Sequence, residues 1–184
     1  MVDSKQPEDR ISVAIVQRVA LVRVDGRGSF KVSTSLKEFV QAAIEGGVQT
    51  AVVDLGNCIS MDSTFMGVLA GAAGRIRTKN QGRVVLLNLS SKTRTLISTL
   101  GLDQVVQAHD AGATPEQFRP YVDGTSMADL APRAESKLTT ATTMLEAHET
   151  LVALTPENAP RFKDVVEFLR EDLKRKSDDR GATP

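Results

Sequence analysis

Two short apolar segments, separated by a helical pattern, constrain the fold of this chain more than any other feature. Residues 50–55 (TAVVDL) and 83–89 (RVVLLNL) are continuous apolar runs rich in β-branched side chains, which is typical of buried strands. Between them, apolar residues recur at helical spacing from Phe65 to Ile76. A strand, a helix and a strand within about thirty residues predict a right-handed crossover between two parallel strands.

The flanking sequence extends this unit in both directions. Alternating apolar residues in 11–25 predict two strands joined by a tight turn. Thr34 or Ser35 is positioned to cap a first helix, and a third helix leads to a last short strand at Val105 and Val106. The order β-β-α-β-α-β-α-β predicts an α/β fold with a mixed sheet of four to five strands covered by helices.

The sequence changes character after residue 112. Prolines and small polar residues predict a linker, and two amphipathic patterns then predict a helical extension, the second helix capped by Thr155. The apolar stripes of this extension must be buried on the domain, against a second copy or in a partner groove. Five segments are predicted: a disordered N-terminus (1–10), an α/β domain (11–112), a linker (113–138), a helical extension (139–176) and a disordered tail (177–184).

Charge and composition narrow the class of function. Lys and Arg number 23 and so do Asp and Glu, so no net charge draws the chain to nucleic acid or to a membrane surface. The longest uncharged apolar run, residues 65–74, is too short to span a bilayer. One cysteine and two histidines offer little for catalysis or metal binding. We therefore expect a cytoplasmic, non-enzymatic protein with no catalytic residue, cofactor, metal, nucleic acid or membrane partner.

The residues with most chemical information open the second helix. Asp62, Ser63 and Thr64 follow a buried strand, so their side chains are expected at a helix N-terminus beside the carboxyl end of the sheet. Free N–H groups there would stabilise a phosphate, which adds about −1.5 to −2 charge. The plainer interpretation is that one of these residues only caps the helix. Three glycines on the same helix predict a close approach, most simply to the sheet: Gly67, Gly71 and Gly74.

Four segments carry a resemblance to a known family. They are VALVRVDG (19–26), VVDLGNCISMDSTFMGVL (52–69), GRVVLLNL (82–89) and TLGLDQVV (99–106). On these motifs residues 11–108 resemble a STAS domain, the fold of bacterial anti-sigma factor antagonists. The resemblance implies the α/β fold that the periodicity predicts independently.

The resemblance also implies a mechanism and its partners. In such antagonists an anti-sigma factor, a serine kinase with a histidine-kinase-like ATPase fold, phosphorylates the serine after the signature aspartate. That serine is Ser63 here, with Thr64 as the alternative acceptor. The unphosphorylated form binds the kinase and frees the sigma factor, and a PP2C-type phosphatase restores it. The implied partner-binding residues are Asp62, Ser63, Thr64, Phe65, Met66 and Gly67.

Two features leave other functions open. Phe65 and Met66 stand where relatives usually carry Gly and Leu, which predicts an altered docking surface. The C-terminal helices could instead drive self-association, so that the chain would be a constitutive scaffold for assembly. A small-ligand or nucleotide sensor is the third hypothesis.

Overall fold

A mixed sheet forms the centre of the protein. In the computed structural model, which describes residues 9–132 and 134–181, this sheet has seven strands. They are Arg10–Val16 (β1), Val19–Gly28 (β2), Thr50–Asp54 (β3), Cys58–Met61 (β4), Arg83–Leu89 (β5), Gln107–Asp110 (β6) and Ala128–Asp129 (β7). Their order is β6-β5-β3-β2-β1-β7, and β4 also pairs with β2. β1 and β2 form an antiparallel hairpin, whereas β2, β3, β5 and β6 run parallel, as the crossover pattern predicts.

The helices follow the predicted alternation, with shifted boundaries. They are Phe30–Glu45 (α1), Ser63–Asn80 (α2), Ser91–Thr99 (α3), Arg119–Gly124 (α4), Lys137–Leu154 (α5) and Asn158–Gly181 (α6). α1 begins after Ser29, so Thr34 and Ser35 lie buried inside the helix instead of capping it. Both hydroxyls make hydrogen bonds to other segments, which is how a helix accommodates buried polar side chains. The last parallel strand starts at Gln107, later than the predicted Val105, because a 3-10 turn precedes it.

Strand alternation divides the core between the two faces of the sheet. One face packs against α1, α2 and α3, and its central residues are Ala20, Val22, Ala51, Val53, Val84 and Leu86. The opposite face presents Leu21, Val52, Val85 and Leu87. Because both faces of the parallel strands are apolar, both must be covered.

The segment predicted as a linker covers the second face. Phe118, 4% exposed, packs on this face together with side chains of α4 and the residues that follow it. β7 then pairs with β1, through Ser12 opposite Asp129. Arg23 fixes α4 by donating a hydrogen bond to the carbonyl oxygen of Val122 at 2.5 Å. The segment is therefore a layer of the fold that completes the sheet.

The last two helices, α5 and α6, form the C-terminal hairpin and pack back on the domain. α5 lies against α2 and α1, and α6 lies against α5. α6 begins at Asn158 and continues to Gly181, beyond the predicted end at 176. The predicted cap Thr155 lies in the turn before it, where its hydroxyl oxygen accepts from the backbone N–H of Glu157 at 3.4 Å. The side-chain amide of Asn158 donates to the carbonyl oxygens of Leu100 at 3.0 Å and Leu151 at 2.8 Å, which fixes the turn between the helices.

The two ends predicted to be disordered, 1–10 and 177–184, lie partly outside the described residues. Residues 1–8 and 182–184 lie outside the described residues, while Arg10 already belongs to β1. Among the helices that the structure describes, none is long and apolar enough to cross a bilayer.

Candidate functional site

Asp62 connects the N-termini of two helices. Its backbone N–H donates to the carbonyl oxygen of Gly28 at 3.0 Å, which places it beside the end of β2. One carboxylate oxygen accepts from the N–H of Phe65 at 2.9 Å and so caps α2. The other accepts from the N–H of Phe30 at 2.7 Å, in the first turn of α1. A negative charge at two positive helix ends is favourable, so Asp62 has a clear structural role.

Ser63 follows as the first residue of α2 and is partly exposed. Its hydroxyl oxygen lies 2.9 Å from Nε2 of His148, on α5. The other ring nitrogen of His148, Nδ1, lies 2.7 Å from the carbonyl oxygen of Met144. A carbonyl oxygen only accepts, so Nδ1 carries a proton, and when the ring is neutral Nε2 accepts from the Ser63 hydroxyl. The predicted phosphoacceptor thus donates a hydrogen bond to the C-terminal hairpin.

His148 is held firmly in this position. The residue is 4% exposed, and its ring packs edge-on against Phe162 of α6, with ring centroids 5.2 Å apart and planes at 63°. Both helices of the hairpin therefore contribute to the environment of Ser63. The sequence marks His148 only as a residue on an apolar stripe, and no local signal places it near Ser63.

Gly67 allows α5 to approach α2 closely. A Cβ atom on Gly67 would lie 2.4 Å from the carbonyl oxygen of Ala147, closer than real contacts allow. One turn further, a Cβ on Gly71 would lie 3.9 Å from Oγ1 of Thr150. The prediction that these glycines pack against the sheet is wrong for Gly67, because its close neighbour is the backbone of α5. At Gly74 nothing lies within 4 Å of the added atom.

The other predicted partner-binding residues are not brought to the surface. Thr64 is 3% exposed, Phe65 0% and Met66 3%. Phe65 fills the core next to β2, where a Cβ on Gly28 would lie 2.7 Å from its ring. Phe65 therefore enlarges the core instead of altering a docking surface, since its position on α2 faces the sheet. Within the predicted set, Asp62 and Ser63 are the partly exposed residues.

Cys58 lies close to the same edge of the sheet but is buried in β4. Burial raises the pKa of its thiol to about 11, and hydrogen bonds with the backbone of Gly28 and Ser60 partly offset this rise. A protonated, buried thiol is a poor nucleophile. Within residues 9–132 and 134–181, no three His, Cys, Asp or Glu side chains are grouped to hold a metal ion.

A family model described as "Mlab, STAS domain" matches residues 11–107, just over half of the chain. The chain belongs to the STAS-domain family. The matched part of this STAS protein runs from β1 to the start of β6 and includes Asp62 and Ser63. α4 and the C-terminal hairpin, which supplies His148, lie outside it.

Solved structures show the same fold. A candidate anti-sigma factor antagonist of Thermotoga maritima, TM1081, is 20% identical, with 55% of this chain and 87% of that chain covered and a TM-score of 0.50. SpoIIAA, an anti-sigma factor antagonist in its unphosphorylated form, is 22% identical, with 62% and 99% covered and a TM-score of 0.50. Both similarities leave more than a third of this chain unmatched.

Proposed function

We propose that this STAS protein is an anti-sigma factor antagonist whose binding to an anti-sigma factor is gated by phosphorylation of Ser63. Family membership and the fold shared with anti-sigma factor antagonists support the general role. The position of Ser63 is the observation that supports control of binding by phosphorylation. It is partly exposed at the first residue of α2, directly after the aspartate that caps the helix.

This position suits a phosphorylation switch electrostatically. The helix N-terminus offers backbone donors and the positive end of its dipole to a phosphate. The phosphate would add about −1.5 to −2 charge beside Asp62 and reverse the complementarity of the surface to a partner. Thr64 is 3% exposed, which favours Ser63 as the acceptor.

The proposal implies partners but no catalytic step by this chain. The kinase would be the anti-sigma factor itself, a serine kinase with a histidine-kinase-like ATPase fold, and a PP2C-type phosphatase would reverse the modification. The protein would act in the cytoplasm as ligand and as substrate in turn, and so control sigma-factor-dependent transcription. No cofactor is required for this function.

A capture experiment from native lysate tests the proposal. The baits are the full-length wild type, Ser63→Ala, Ser63→Asp and, as a matched control, Ser91→Asp. Ser91 is exposed and, like Ser63, is the first residue of a helix that follows a sheet strand, so the control adds the same charge at an equivalent helix position.

We expect the wild type, Ser63→Ala and Ser91→Asp to retain a histidine-kinase-like ATPase, identified by mass spectrometry, and Ser63→Asp to lose it. The retained ATPase should phosphorylate the wild type but not Ser63→Ala. Retention of the same ATPase by all four baits would refute the gate.

The competing hypothesis is a constitutive scaffold that self-associates through its C-terminal helices. Phe168 on α6 is 58% exposed and is the observation that favours it, although single exposed aromatics are common. Light scattering of the full-length chain over a range of concentrations separates the two. A stable oligomer, together with equal capture by all baits, would favour the scaffold.

A further inference from the structure

We infer that the Ser63 face of α2 is a helix-binding surface which α5 occupies within the chain, so that a partner must displace the C-terminal hairpin to reach Ser63. The inference rests on the proposed function for the identity of the partner. That α5 covers this face of α2 follows from the packing of the chain itself and does not depend on the identity of a partner.

The contacts between α2 and α5 follow one face of α2. Ser63, Gly67 and Gly71 are four residues apart, so they lie on successive turns of the same face. Ser63 meets His148, Gly67 meets Ala147, and the Gly71 position faces Thr150. The absence of side chains at two of these three positions makes the face a shallow groove shaped to receive a helix backbone.

Occupation by α5 engages the Ser63 hydroxyl with His148, although Ser63 itself stays partly exposed. Phosphorylation would form a bond from Oγ to the γ-phosphorus of ATP, break the bond to the bridging oxygen, release ADP and pass the hydroxyl proton to a base on the kinase. In the folded chain that proton is donated to His148, and Phe162 packs behind the ring. A kinase therefore needs α5 to move before its phosphoryl donor can reach Oγ.

The interface also has features that allow it to open. A pocket of about 260 Å³, open to solvent, lies between α1, α2 and α5, so the hairpin leaves part of the groove uncovered. Two polar pairs join α1 to α5: the hydroxyls of Thr34 and Thr143, 3.1 Å apart, and the ion pair of Lys37 with Glu146. The partly exposed ion pair of Lys37 with Glu146 can exchange its partners for water, which lowers the cost of separating α5 from α1.

The reactivity of a thiol at position 63 measures how well α5 covers this face of α2, and the measurement needs no partner. In the full-length chain, Cys58→Ser removes the native thiol and Ser63→Cys introduces the reporter, whose reaction with DTNB is timed under native conditions. Ala147→Leu is then added to push α5 away, since Ala147 is 1% exposed against Gly67. Ala153→Leu is the matched control, the same substitution at an exposed position of the same helix.

We expect the reporter to react slowly, Ala147→Leu to accelerate its reaction at least about tenfold, and Ala153→Leu to change it by less than about twofold. His148→Ala, which clears the space above residue 63 and spares the Gly67 contact, should give a smaller acceleration. Circular dichroism verifies that every variant retains the fold. Reaction of the parent reporter as fast as a small free thiol, or equal rates in both leucine variants, would overturn the inference.

Capture of the ATPase by the Ala147→Leu variant, without the reporter substitutions, tests whether α5 and the partner compete for the same face of α2. This bait should retain more ATPase than the wild type or Ala153→Leu. If the thiol becomes accessible and capture does not rise, α5 does not compete with the partner and the inference fails. The proposed function fails separately, when Ser63→Asp retains the ATPase.

Discussion

Replacement of Asp62 by alanine removes two hydrogen bonds that hold the N-termini of α1 and α2 together. Loss of the α2 cap costs about 0.5–2 kcal/mol. Loss of a charged acceptor for the N–H of Phe30 adds about 1.5–3 kcal/mol where water does not replace it. Because Asp62 is partly exposed, we expect a total loss of about 2–3 kcal/mol in the free energy of unfolding.

Asparagine at position 62 tests the cause of this loss. Its side chain has one oxygen that accepts and one amide that only donates, so it can keep the bond to Phe65 but not the bond to Phe30. We expect Asp62→Asn to lose roughly half as much stability as Asp62→Ala. Asp164→Asn on α6 serves as the control, since Asp164 is exposed and removal of its charge should cost less than about 0.5 kcal/mol.

Urea denaturation followed by circular dichroism at 222 nm measures these differences, because the chain has no tryptophan and one tyrosine. The urea dependence of the unfolding free energy should be the same for all variants. If Asp62→Ala is no less stable than Asp164→Asn, Asp62 does not hold the two helices, and its role is limited to partner contact.

Two further predictions concern the glycines of α2 and the thiol of Cys58. Gly67→Ala should lower the free energy of unfolding by about 1–2 kcal/mol because its methyl group meets the backbone of Ala147, whereas Gly74→Ala should raise it by about 0.5–1 kcal/mol through helix propensity. Equal effects in urea denaturation would contradict this packing. Burial raises the pKa of Cys58 from 9.0 to about 11, so the unfolded chain loses the thiol proton first. The stability contribution of the protonated thiol is complete below pH 9 and falls as the pH rises towards about 11. The stability of the wild type relative to Cys58→Ala should therefore decline across that range, and a constant difference would refute the shift.

Local sequence signals predict the elements around the site well. The apolar runs of β3 and β5 need only a few neighbouring residues to be recognised, and both strands are parallel as predicted. Asp62 caps α2 as its position before the helical pattern indicates. In each case one short segment contains the whole physical cause.

The remaining features depend on residues far apart in the chain. Thr34 has the chemistry of a helix cap, but its hydroxyl is buried against Thr143 of α5, 109 residues away. The segment after residue 112 has the composition of a linker, yet the apolar second face of the sheet requires a cover. The contact of Ser63 with His148 spans 85 residues, and no periodicity within α2 or α5 encodes it.

A phosphate on Ser63 is proposed to control partner binding. The most direct test is to produce the full-length chain with phosphoserine at position 63 and to measure its Kd for the captured ATPase by calorimetry, beside the unmodified chain. We expect the phosphate to weaken binding at least about tenfold, a cost of about 1.4 kcal/mol or more. Equal Kd values for the two forms would contradict it.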